Sequence, residues 1–322
     1  MADSLPVSCP DCGWPLATEA WAEGNCLGCL AELAQSEPPI EIEDLPLPAK
    51  AGRALAPGTV LGGRFQICSR LGCGGVGEVW RAFDLKLRVD VAIKSVRNER
   101  VADPEALKSL YQEVRLAREV ISPHVCRVFD LQSVDGREWI TMEYIGGRSL
   151  AEILCRRGPL ALDEADDLAA QFLAGVAAIH GAGILHRDIK PENLMVTRHG
   201  RVVVMDLGTA ECLETGQSRC IAGTPAYMSP EQARGEALDE RADVFSAGVV
   251  LAEMAAPTRL ALADDRRRVW EGIHAEEPRI ASSPWAGVIA QAVASDRERR
   301  PRSIEALAEA LEEATRRSSI GG

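Results

Sequence analysis

The stretch His186-Arg187-Asp188-Ile189-Lys190-Pro191-Glu192-Asn193-Leu194-Met195 holds a carboxylate, an ammonium two residues on and an amide five residues on. Pro191 forbids helix, so the stretch reads as a loop. Asp188 can orient a hydroxyl nucleophile or accept its proton. The amide oxygen of Asn193 can bind a hard metal ion, and Lys190 can neutralise a transferring phosphate. A second phosphate-related feature is Gly72-Cys73-Gly74-Gly75-Val76-Gly77. Its glycines let backbone amides close over phosphates without a Cβ clash. Glu78 to Phe83 then reads as strand rather than helix, which makes a hairpin and separates this turn from the dinucleotide-binding fingerprint.

A different chemistry opens the chain. Cys9 and Cys12 form one Cys-x-x-Cys pair, Cys26 and Cys29 another, with thirteen residues between them. Two such knuckles complete a tetrahedron around one ion. About 35 residues cannot bury a real core, so a metal would supply the folding energy. Two disulfides or free thiols fit the same spacing, and a reducing compartment favours zinc. The segment resembles a zinc ribbon.

The elements that must carry these groups follow in order. Residues 36 to 57 hold five prolines and four acids and read as a semi-extended linker. Short strands are expected at Phe65 to Leu71, Glu78 to Phe83, Val91 to Lys94, Cys126 to Leu131 and Glu138 to Met142. Pro104 starts a helix to about Val120, with Leu107, Leu110, Val114 and Ala117 as its apolar stripe and Glu113 midway. Asp163 is expected to cap a helix whose apolar face is Ala165, Leu168, Ala169, Phe172, Val176 and Ile179. A short strand at Val202 to Met205 precedes Asp206-Leu207-Gly208. The last helix spans about Ser303 to Ala314.

Taken jointly, these motifs resemble a bacterial serine/threonine protein kinase over residues 58 to 315. The resemblance implies an α+β, bilobal fold. Its β-rich first lobe would cover about 58–143, its helical second lobe about 147–315, and a tail 316–322. A zinc module at 1–35 and the linker at 36–57 precede it. It also implies that Leu71, Gly72, Gly74 and Gly77 cover the nucleotide. Lys94 would contact the α- and β-phosphates, with Glu113 as its ionic partner. Met142-Glu143-Tyr144-Ile145 resembles the hinge between lobes. There the backbone of Glu143 and Ile145 would bond adenine, and Met142, Val79, Ala92 and Met195 would wall its pocket. Asn193 and Asp206 would hold magnesium or manganese, and Asp188 and Lys190 would act on the hydroxyl and the γ-phosphate. Leu207 stands where the family often has Phe, and Ser229 where Ala is usual before Pro230-Glu231. Asp243 would brace the catalytic loop, and Glu231 would pair with Arg300. Thr215, Ser218 and Thr224 are the nearby phosphate acceptors, although Thr224 could serve the site directly.

Composition sets bounds on this reading. The 322 residues are 46% apolar, 26% charged and 4% aromatic, so the core must be mainly Leu, Val, Ile and Ala. A formal net charge of -12 argues against broad binding to nucleic acid. No apolar run approaches the ~18 residues a membrane span needs, and no signal peptide is visible. A cytoplasmic protein is expected. ATP, a divalent ion and protein substrates follow from the resemblance, and what the ribbon binds is not readable. The rival reading is a pseudokinase scaffold that binds nucleotide without transfer, its ribbon serving as a partner adaptor. Loss of Lys94, Asp188 or Asp206 would favour that rival, and all three are present.

Overall fold

The structure, a computed structural model, describes residues 21–22, 25–26, 55–74, 77–96, 104–134, 137–206, 211–212, 224–255 and 283–320. The chain divides into two units, Met1–Leu47 and Pro48–Gly322. In the first, β1 (Trp21–Ala22) pairs antiparallel with β2 (Asn25–Cys26). Cys9, Cys12 and Cys29 lie outside the described residues, as do Thr215 and Ser218.

The second unit begins with a six-stranded sheet. Its members are β3 (Val60–Leu61), β4 (Phe65–Gly74), β5 (Gly77–Asp84) and β6 (Val89–Ser95), followed after helix α1 (Pro104–Glu119) by β7 (Val128–Val134) and β8 (Arg137–Glu143). The order is β3-β4-β5-β6-β8-β7. Alternation along the strands serves both faces. Val91 and Ile93 join Phe65, Ile67, Trp80, Ala82 and Trp139 on one side. Ala92 joins Leu110 and Val114 of α1, Ile140 and Met142 on the other. The strand expected at Cys126 starts two residues later, because the backbone of Val125 and Cys126 is already committed to Val204.

Beyond the sheet come β9 (Gly147–Ser149), α2 (Leu150–Arg157), α3 (Leu162–Gly181), β10 (Ile184–Leu185), β11 (Leu194–Thr197), β12 (Val202–Val204) and β13 (Glu211–Cys212). Helices α4 (Pro230–Ala233), α5 (Glu240–Ala255), α6 (Ala286–Ala292) and α7 (Ile304–Ile320) follow. All six apolar residues expected on α3 are buried. Asp163 does not cap that helix: Ala161 stands at the cap position, and Asp163 lies in the first turn, where its charge suits the positive end of the dipole. Helix α5 is buried on every side from Ala242 to Met254, as a central core helix must be. A β-carbon on its Gly248 would lie 2.7 Å from Ala292 Cβ, so glycine permits the close crossing with α6. Helix α7 runs on to Ile320, through residues expected as tail. The ion pairs Arg316–Glu312 and Arg317–Glu313, one turn apart, support that extension. Among the described residues no helix is long and apolar enough to cross a membrane.

Candidate active site

The segment between β10 and β11 is not loop throughout, because Pro191–Asn193 form a 3-10 turn that proline can open, and it is built on a buried anion. Asp243, on α5, accepts from the backbone N–H groups of His186 (2.8 Å) and Arg187 (2.9 Å). His180, at the end of α3, lies 2.8 Å from the same carboxylate through Nε2. Burial works against charge on Asp243. The bond to His180, the charge of His180 and the Arg187 N–H outweigh it, so the pKa lies below the ordinary carboxylate value. These bonds hold Arg187 at φ 65°, a left-handed conformation that a side chain rarely adopts. Gln232 of α4 closes the loop from the other side by donating to Arg187 O at 2.7 Å. His186 is fully buried, and its Nε2 donates to Met205 O at 3.0 Å. That bond ties the loop to the chain that delivers Asp206.

Next to this brace the reactive groups converge. The Asp188 carboxylate receives Lys190 Nζ at 2.7 Å, Thr224 Oγ1 at 2.7 Å and Asn193 Nδ2 at 3.1 Å. Lys190 also donates to Thr224 Oγ1 at 2.6 Å, which closes a triangle. Asn193 is fixed further by a 2.8 Å bond to Asp188 O. Thr224 thus belongs to the site itself, and a phosphate on it would set two anions together at Asp188. Charge-assisted bonds of this kind are short and directional. They fix one carboxylate oxygen pair where a hydroxyl could approach.

Across from the loop, buried Lys94 on β6 reaches Asp206 Oδ1 at 2.5 Å. Asp206 is about a third exposed and has φ 62°, again left-handed. Glu113 stands half-buried on α1. The expected pocket walls Val79, Ala92, Met142 and Met195 all pack in one apolar cluster, together with Ile145, Val203 and Met205. Leu71 lies at an exposed position on β4. Glu143, at the end of β8, bonds Arg127 O through its N–H, and its carboxylate meets Arg201 at 3.2 Å. Its carbonyl accepts weakly from the Cys126 thiol. Burial, with the charges of Glu143 and Asp206, pushes that thiol up to about 12, so Cys126 is a neutral packing group. Gly72 and Gly74 lie on β4 and Gly77 opens β5, with Gly74 opposite Gly77 across the hairpin.

Glu231 and Arg300 meet in the helical half through paired bonds of 2.6 and 3.0 Å, both residues almost fully buried. His180 and Gln232 escaped the sequence reading. His180 had a readable signal: it borders Val176 and Ile179 on the apolar stripe of α3, and a polar group there requires a partner. Gln232 gave none, because its partner is a backbone carbonyl of a distant loop.

The sequence profile of the protein kinase domain matches residues 65–311. A probable serine/threonine-protein kinase, PknB, of Bifidobacterium longum is 34% identical over 266 residues, covering 76% of this chain and 38% of that one. Serine/threonine-protein kinase PknB of Mycolicibacterium smegmatis is 37% identical over 203 residues, covering 60% and 32%. PrkC of Bacillus subtilis, also a serine/threonine-protein kinase, is 34% identical over 200 residues, covering 61% and 31%. The chain therefore spans about a third of the length of these curated relatives. The crystal structure of the Mycobacterium tuberculosis PknI kinase domain superposes with a TM-score of 0.63 at 25% identity, covering 81% of this chain and 100% of that one.

Proposed function

This chain belongs to the protein kinase family, and from that membership and the geometry of its site we propose that it transfers the γ-phosphate of ATP to Ser or Thr hydroxyls of proteins. The observation that carries the proposal is the Asp188 carboxylate, held at once by Lys190, Thr224 and Asn193. Asp188 orients the acceptor hydroxyl and takes its proton as the new bond forms. Lys190 faces the transferring phosphate, and Thr224 holds both partners in register. Lys94 positions the α- and β-phosphates, and Glu113 would pair with it when the nucleotide is seated. The glycine hairpin covers the phosphates, and the cluster of Val79, Ala92, Met142, Ile145 and Met195 receives adenine.

Magnesium or manganese suits the donors present. The Asn193 nitrogen is donated to Asp188, so its hard oxygen is the end available to a cation, and Asp206 adds a carboxylate. Asn193 and Asp206 would hold the ion, which neutralises charge on the triphosphate. Incubation of the protein with γ-labelled ATP and magnesium tests the reaction. Label on Ser and Thr, mapped by mass spectrometry, is the expected result. Label on Tyr alone, or none, would reject the assignment.

We also propose that Cys9, Cys12, Cys26 and Cys29 bind one zinc ion in a separate module. The paired spacing and the hairpin that ends at Cys26 support this reading. The module would tether the kinase to a partner protein and raise the local concentration of substrate. A reducing cytoplasm is the compartment that keeps such thiolates available.

A further inference from the structure

The ladder between β5 and β6 runs from Asp84 opposite Val89 to Val79 opposite Lys94 and stops there. One step past its end, the backbone of Glu78 still needs partners. Both come from one side chain. Glu78 N donates to Ser95 Oγ at 3.0 Å, and Ser95 Oγ donates to Glu78 O at 3.3 Å. A hydroxyl can do both, since it carries one donor and two lone pairs. The neighbouring residue adds a steric contact. Gly77 has φ 144°, and a β-carbon there would lie 2.1 Å from Ser95 O, so the chain presses on Ser95 where the hairpin turns away. The Glu78 carboxylate meets Arg70 across the hairpin at 2.9 Å, but that pair is nearly half exposed and holds weakly.

On the nucleotide reading above, we infer that Ser95 is a positioning residue for the phosphate-covering hairpin. Its hydroxyl replaces the missing rung of the ladder and locks Gly77 and Glu78 to the residue that follows Lys94. The phosphate-covering amides and the phosphate-contacting ammonium are thereby set by one short piece of chain. Without the hydroxyl, water can serve the part-buried Glu78 backbone, so the fold survives. The arm is then looser, and nucleotide binding must order it. That cost falls on the phosphates and spares the adenine pocket.

The test compares Ser95→Ala, Ser95→Thr and Ser95→Val in the full chain. Thr keeps the hydroxyl, and Val removes it with nearly the same shape. Ala and Val are expected to raise KM for ATP about three- to tenfold with kcat within about twofold. Thr should stay within about twofold of the original protein in both. Affinity for adenosine, which carries no phosphate, should be unchanged in all three. Unchanged KM in Ala and Val would overturn the role, as would Thr behaving like Val, or adenosine affinity falling in step with ATP. Failure of the unsubstituted protein to bind ATP would separately overturn the nucleotide reading, and this role with it.

Discussion

In the helical half of the kinase unit, buried charge is fastened to backbone. Arg300 uses its guanidinium on Glu231 and on the carbonyls of Ala294, Arg241 and Ser295, and stacks on Phe245 with its carbon 5.0 Å from the ring centre. Asp243 spends its carboxylate on His180 and two loop amides. In the strand half, buried Asp84 likewise accepts from the N–H groups of Lys86 and Leu87, but buried Lys94 reaches Asp206, a carboxylate about a third exposed that belongs to the other half. One set of charges holds the loop in a strained shape. The Lys94–Asp206 pair bridges the two halves with its carboxylate partly open to solvent. Substitutions in the buried, backbone-fastened charges should therefore cost stability, and those at the partly exposed pair chiefly chemistry.

The largest structural effect should come from Arg300→Ala. It strands the Glu231 carboxylate in the core and should cost about 3–5 kcal/mol, measured as a fall in denaturant midpoint. Arg300→Lys should recover only part of this, since an ammonium cannot reproduce the planar fork. Equal stability of Arg300→Ala and the original protein would erase the contrast between the halves.

A smaller effect is expected at His180, and it should depend on pH. Burial works against its charge, but the bond to Asp243 and the charges of Asp243, Glu240 and Glu305 outweigh it and raise its pKa above the ordinary 6.5. Stability from a raised histidine is complete below about pH 6.5 and is lost as pH rises through the folded pKa. Stability from Asp243, whose pKa is lowered from 3.8, is complete above that value and lost as pH falls through its folded pKa. The pair is therefore strongest between about pH 4 and 6.5. His180→Gln should cost about 1.5–3 kcal/mol in that window and less as pH rises above it. A cost that does not vary from pH 5 to pH 9 would count against a charged His180.

The smallest effect on the kinase unit should come from the first unit. Cys12→Ser with Cys29→Ser should abolish stoichiometric zinc, counted by elemental analysis. The melting transition of residues 48–322 and turnover on a small peptide should stay as they were. Loss of peptide turnover in that variant would make the first unit regulatory.

Much of this site was legible because its chemistry is local. Asp188, Lys190 and Asn193 fall within six residues, and the loop that carries them meets itself. Glu231 and Arg300, 69 residues apart, were readable only through the family resemblance. Composition and periodicity say nothing of such a pair. The sequence allows Thr224 two roles, and the triangle with Asp188 and Lys190 gives it a place in the site. The Asp163 cap and the end of the last helix were misplaced. Cap choice turns on backbone geometry at Ala161, and helix length turns on pairs such as Arg316–Glu312 beyond the apolar stripe. Ser95 was invisible because its partner is backbone rather than a side chain.

The role of the Asp188 carboxylate is tested by a paired measurement on Asp188→Asn: ATP affinity in the presence of magnesium, and phosphate transfer to Ser or Thr. ATP affinity is expected within about threefold of the original protein and transfer reduced at least ~100-fold, because the substitution spares nucleotide contacts and removes the group proposed to take the proton. Equal transfer by the two proteins would contradict that role.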